Sequence, residues 1–123
     1  MAKSDTKKVK SPEIPVVYNG NNPEAVYFDR NGYKIVAKVE NGQFILTRTG
    51  GGWGEDPEKG ESIVVTPNNT TRLKESLKVK NADTMLKALG RRFALKEPHN
   101  AFGKIITSLQ RRGIPFEKQY SIP

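Results

Sequence analysis

The sequence contains no cysteine. That absence excludes a disulfide framework, a thiolate zinc site, an iron–sulfur cluster and a thiol nucleophile. Histidine is nearly absent as well. The one copy, His99, falls at the start of a helical stretch, where an isolated imidazole reads as a surface or capping residue, and no triad or metal cluster can be assembled around it. Uninterrupted apolar runs are only a few residues long, so nothing reads as a membrane span or a signal-peptide core. The expected setting is soluble and cytoplasmic, nucleoid-associated in a bacterium or phage and nuclear in a eukaryote. Acidic side chains are in short supply: 13 Asp+Glu face 21 Lys+Arg, a formal net charge of +8 over 123 residues. That length allows one domain, and 35% hydrophobic residues allow a modest core.

The charge is unevenly placed. Residues 1–66 balance nine basic against nine acidic side chains, whereas residues 67–123 carry twelve against four, so the whole excess lies in the C-terminal half. A positive field confined to one segment steers polyanions, most commonly nucleic acid and less often anionic lipid or an acidic protein. Enzymatic readings have little to stand on. Glu55, Asp56, Glu58 and Glu61 match no calcium-loop spacing, and Gly50–Gly54 lacks the Gly-Lys-Ser/Thr ending of a phosphate loop. A non-catalytic protein without cofactor or metal is expected.

Residues 1–13, with four lysines among Ser, Asp and Thr, read as a disordered basic tail. Residues 14–123 read as a single α+β domain, a sheet half over 14–66 and a basic helical half over 67–123. Asn31-Gly32 and Asn41-Gly42 are type I′ hairpin signals between β-prone runs, and two-residue loops there set strands near 25–30, 33–40 and 43–49. That register gathers Val26, Phe28, Ile35, Ala37, Val39, Phe44 and Leu46 on a core face. It leaves Tyr27, Lys34, Val36, Lys38 and Ile45 on the other. Residues 50–61 read as a long mobile loop feeding a strand near 62–65. Helices are predicted at about 69–79, 82–95 and 98–112, the last two by the stripes Met85, Leu86, Leu89, Phe93 and Phe102, Ile105, Ile106, Leu109. The chain then ends in an extended segment suited to a sheet edge. The fold class is therefore α+β: an antiparallel meander of four to five strands with about three helices on its apolar face.

Two surfaces could meet a polyanion. On the helices, Lys87, Arg91 and Arg92 lie near Lys104, Arg111 and Arg112 in sequence order, and the short link between them raises a helix-turn-helix. On the sheet, Tyr27, Lys34, Lys38 and the loop Trp53 interleave aromatic and cationic groups, the requirement for single-strand binding. The alternative for that face is packing by Val36 and Ile45 against a helix or a second subunit.

The stretch from Tyr33–Glu40 through Phe44-Ile45-Leu46-Thr47-Arg48, Lys59-Gly60-Glu61-Ser62-Ile63-Val64-Val65, Pro67 and Leu73-Lys74-Glu75 resembles the single-stranded DNA-binding core of the positive cofactor four family of transcriptional coactivators. The resemblance covers residues 33–79, with two further helices following where that family ends. It implies a curved antiparallel sheet followed by a helix, a homodimer, Arg48 and Lys59 as nucleic-acid contacts, and Trp53 as a stacking partner. The expected function is non-catalytic nucleic-acid binding, single-stranded DNA or RNA by preference, in transcription, replication or recombination. The alternative is a protein-interaction or inhibitory factor whose basic helical half docks an acidic partner.

Overall fold

A computed structural model describes residues 14–50 and 60–121. The basic tail, Trp53 and Lys59 lie outside them. Six antiparallel strands run in spatial order β1 (Val17–Asn19), β2 (Asn22–Arg30), β3 (Tyr33–Glu40), β4 (Gln43–Gly50), β5 (Gly60–Val65) and β6 (Glu117–Ser121), an open sheet rather than a barrel. The α+β architecture is as expected, with six strands in place of four to five. The addition is β1, which pairs with β2 across Gly20-Asn21; β6 returns after the helices to pair with β5 at the far edge.

Both Asn-Gly loops make the turns predicted of them. Asn31 and Gly32 have φ of 56° and 80°, and Asn41 and Gly42 have 54° and 80°, the pair of left-handed residues that a type I′ turn requires. The second loop fixes its ladder as expected, with Ala37 opposite Leu46 and Val39 opposite Phe44. The first does so only near the turn. Phe28 faces Ile35, but upstream the ladder slips by one residue, so that Val26 faces Val36 and Ala25 faces Ala37. The slip is a β-bulge at Tyr27, and it reverses the faces of β2. Ala25 and Tyr27 turn into the core, while Val26 turns out and is 40% exposed, which corrects the expected placement of both Val26 and Tyr27.

The exchange has a physical cause on α2. The Tyr27 hydroxyl donates to the Leu86 carbonyl at 2.7 Å, and the ring lies where a Cβ on Gly90 would come within 3.1 Å. A buried phenol with a partner contributes far more contact area than a valine at the same position. Gly90 thus gives the Tyr27 ring room at the close approach of helix and sheet.

Three helices cover the face carrying Ile35, Phe44, Leu46 and Ile63, all without solvent exposure. They are α1 (Pro67–Leu77), α2 (Ala82–Phe93) and α3 (Ala101–Arg111), the last entered through a single 3₁₀ turn at Pro98–Asn100. Thr66 caps α1 ahead of Pro67, and Lys78 closes it in the left-handed conformation, its N–H donating to Glu75. Thr70 pins α1 to the sheet: its buried hydroxyl accepts from Phe44 N–H at 3.0 Å and donates to the Val65 carbonyl at 3.1 Å. Asn81 and Thr84 close the first turn of α2, and Gly113, at φ 69°, lets Ile114 N–H reach the Leu109 carbonyl after α3. α3 is held to α1 by Arg112, which donates to Ser76, and by Arg72, which donates to the Gly113 carbonyl. Leu73, Met85, Leu86, Leu89, Ile105 and Leu109 complete the core, each worth roughly 1.5–3 kcal/mol of apolar burial. That core fixes the relation of α2 to α3.

Candidate nucleic-acid interface

The end of α2 and the length of α3 form the two walls of a groove of about 510 Å³. Arg92 and Phe93 stand on one wall; Gly103, Lys104, Thr107, Ser108, Arg111 and Arg112 form the other. The α3 positions recur at i, i+4 and i+8 and so form one stripe of the helix, opposite the stripe that buries Phe102, Ile105 and Leu109. A second hollow of about 290 Å³ shares Arg92, Phe93 and Lys104 and adds Arg91, Lys96 and Glu97. Across the joined concavity six cations face one carboxylate.

These cations are not equivalent. Lys104 Nζ lies 2.8 Å from Glu97 Oε1, and this hydrogen bond, more than the charge itself, holds the Glu97 carboxyl below the ordinary glutamate range. Arg112 donates to Ser108 Oγ at 3.0 Å and to Ser76, so it is committed in part to tying helices together. Arg91, Arg92 and Arg111 are exposed and make no side-chain hydrogen bond or ion pair with another described residue. Like charges held this close repel one another, and an arriving polyanion relieves that repulsion.

No family model, curated protein or solved structure matches the chain. The placement of the residues therefore carries the functional argument.

Of the sequence-predicted helical residues, Arg91, Arg92, Lys104, Arg111 and Arg112 are brought together in this groove; Lys87, on α2, does not line it. The sheet residues are dispersed. Tyr27 is 4% exposed beneath α2, and burial pushes its phenol well above the ordinary tyrosine value, so the expected stacking of Tyr27 on a base is corrected to a core role. Lys34 and Lys38 do lie on the uncovered face, but Lys34 is opposite Asp29, and Lys38 is opposite Glu24 with its Nζ 3.7 Å from Glu40. Arg48 is on the helix-covered side. Its Nε and Nη2 donate to Glu61 Oε1 at 3.1 and 2.8 Å, and its guanidinium sits 4.6 Å from the centre of the Phe102 ring. His99 meets the Phe28 ring edge-on.

Sequence reasoning missed Lys96, Phe93 as a groove residue, and Gly103. Phe93 belongs to the core stripe of α2 and is half-buried there, but its remaining surface lines both hollows. The signal for Gly103 was present in the sequence: a glycine inside a strongly amphipathic helix needs a reason. Among the described residues no group of His, Asp and Glu is arranged to hold a metal ion, and no helix is long and apolar enough to cross a membrane.

Proposed function

We propose that this chain binds nucleic acid without catalysis, in the groove between α2 and α3, and that single strands are preferred over duplexes. The observation that carries the reading is the convergence of Arg91, Arg92, Lys104, Arg111 and Arg112 on one concave surface whose only acid among the described residues is Glu97. Cations in a channel with an aromatic wall, here Phe93, suit a backbone that tracks the channel while a base stacks. A duplex is a broad convex cylinder and reaches the rim of such a crease but not its floor. A protruding recognition helix is not supported, because seven residues including a 3₁₀ turn separate α2 from α3 where a helix-turn-helix uses about three to four. The resemblance to the positive cofactor four family enters this proposal through the single-strand preference, with the contact surface moved from sheet to helices.

The test is a titration of labelled single-stranded DNA, duplex DNA and RNA of one length at about 50 and about 200 mM salt. Three unpaired arginines predict a log–log salt slope near −2 for a single strand, from about −0.7 per neutralised phosphate. Changing Arg91, Arg92, Arg111 and Arg112 together to Gln should weaken binding at least tenfold and flatten that slope. Unchanged binding by the folded variant overturns the assignment to the groove. Absence of binding to all three nucleic acids at low salt overturns the function and leaves the acidic protein partner.

A further inference from the structure

Two glycines stand in the helices that make the groove, Gly90 in the body of α2 and Gly103 in the first turn of α3, and the chain explains only one of them. Glycine is the least favourable ordinary residue in a helix interior. Gly90 has a packing reason, because a Cβ there would lie 3.1 Å from the Tyr27 ring and 3.2 Å from Ile14 Cδ1, tighter than ordinary contact. Gly103 is exposed, and a Cβ built on it meets nothing within 4 Å. Nothing among the described residues asks for the missing side chain. What surrounds the position is the basic groove: Lys104 beside it, Thr107 one turn on, Arg111 two turns on, and Arg92 with Phe93 across.

We infer that Gly103 is where the bound strand rests on the protein: the sugar–phosphate chain of a single-stranded nucleic acid lies directly against the α3 backbone there and runs lengthwise toward Arg111, with Arg92 opposite. The inference rests on the nucleic-acid reading of the groove. Charge complementarity selects the occupant, since a polyanion alone gains from Lys104, Arg111 and Arg92 together. Length agrees with a strand rather than a single phosphate. Lys104 and Arg111 are seven residues apart, about 10 Å along the axis at 1.5 Å per residue, which matches about three charge spacings of a stacked strand at 3.4 Å each. A side chain at Gly103 would lift the strand off the floor and away from the Thr107 and Ser108 hydroxyls. Because the position is open, the protein itself tolerates the substitution, so folding and binding separate.

The experiment compares Gly103→Leu with Gln110→Leu, an exposed residue of α3 outside the groove, and with Arg92→Gln. Each is titrated with a fluorescein-labelled thymidine oligonucleotide at low salt, and its thermal midpoint is measured. Gly103→Leu should melt no lower than the unmodified chain yet bind at least tenfold more weakly, while Gln110→Leu stays within twofold. If Gly103→Leu binds within twofold while Arg92→Gln loses affinity, the inference is overturned and the groove reading stands. Should Arg92→Gln also bind normally, the groove reading falls and the inference with it. Equal losses in Gly103→Leu and Gln110→Leu mean that α3 has been perturbed as a whole, and also overturn the inference.

Discussion

Replacing Arg48 by Met tests whether Arg48 and Glu61 form a structural pair or part of an interface. The Glu61 carboxylate is 6% exposed at its side chain and receives two hydrogen bonds from Arg48, whose own side chain is 28% exposed. Lys118 Nζ stands 3.8 Å from the other oxygen and is half exposed, so it replaces little of what Arg48 supplies. Methionine keeps the apolar stem over the Phe102 ring and removes the charge. Breaking a fully buried pair costs about 3–5 kcal/mol through the carboxylate left behind, and the partial exposure of Arg48 brings the expectation down to about 2–3 kcal/mol. Unfolding entropy near 2.1 cal/mol/K per residue makes that a fall in Tm of roughly 8–12 °C for a chain of this length. Removing both charges, as Arg48→Met with Glu61→Leu, removes the stranded Glu61 carboxylate and should recover most of the stability lost by Arg48→Met alone. Calorimetry or urea unfolding of the full cycle decides the matter. A double variant that loses the sum of the two single losses refutes the argument. So does a folded Arg48→Met variant that binds single strands tenfold more weakly, since Arg48 would then be the contact that the family resemblance implies.

Tyr27→Phe should cost about 1–1.5 kcal/mol, the value of a buried hydrogen bond, and lower Tm by roughly 4–6 °C while leaving oligonucleotide affinity unchanged; loss of affinity instead would restore Tyr27 to the interface. Glu97 should titrate below the ordinary glutamate range in an NMR pH series, and Lys104→Met should move it back up. The depressed value means that the pair contributes stability above the ordinary glutamate range and loses that contribution as pH falls through the Glu97 midpoint, so Lys104→Met should flatten this part of the acid stability profile. An unchanged Glu97 midpoint would show that the hydrogen bond is not what shifts it.

The two hairpins show where sequence reading succeeds and stops. Asn41-Gly42 sets a register that persists to Gly50, because a two-residue type I′ turn is a local device and the alternation next to it agrees with burial from Gln43 through Leu46. Asn31-Gly32 sets one that lasts only to Phe28. What breaks it is non-local: Leu86 and Gly90, about sixty positions away, offer a carbonyl and a gap that favour Tyr27 over Val26 inside. No pattern in residues 22–30 contains that information. The three helices were legible from their stripes, and the errors at their ends are errors of capping: α1 starts at Pro67 behind Thr66, and the predicted first turn of α3 is a 3₁₀ turn.

The same distinction explains why the candidate interface moved from sheet to helices. The sheet reading required an aromatic and two lysines on one open surface. The bulge removes Tyr27, and the register then sets Asp29 against Lys34 and Glu24 against Lys38, so the exposed face is close to charge-balanced in its own right. Exposed pairs of this kind are weak as bonds, yet they cancel the field that would draw a phosphate. Lys104 is paired with Glu97 in the same way, but Arg91, Arg92 and Arg111 have no such neighbour among the described residues. Arg91 and Arg92 close α2 and Arg111 closes α3, positions that favour cations at helix C-termini even without a ligand, so each alone is unremarkable as a binding signal. Their significance comes from packing. Leu86, Leu89, Ile105 and Leu109 bury the opposite sides of the two helices, and doing so turns both basic ends toward one groove in which Glu97 is the single acid among the described residues. The excess charge of the C-terminal half is therefore a property of the sequence, whereas its concentration in one place is a consequence of the core.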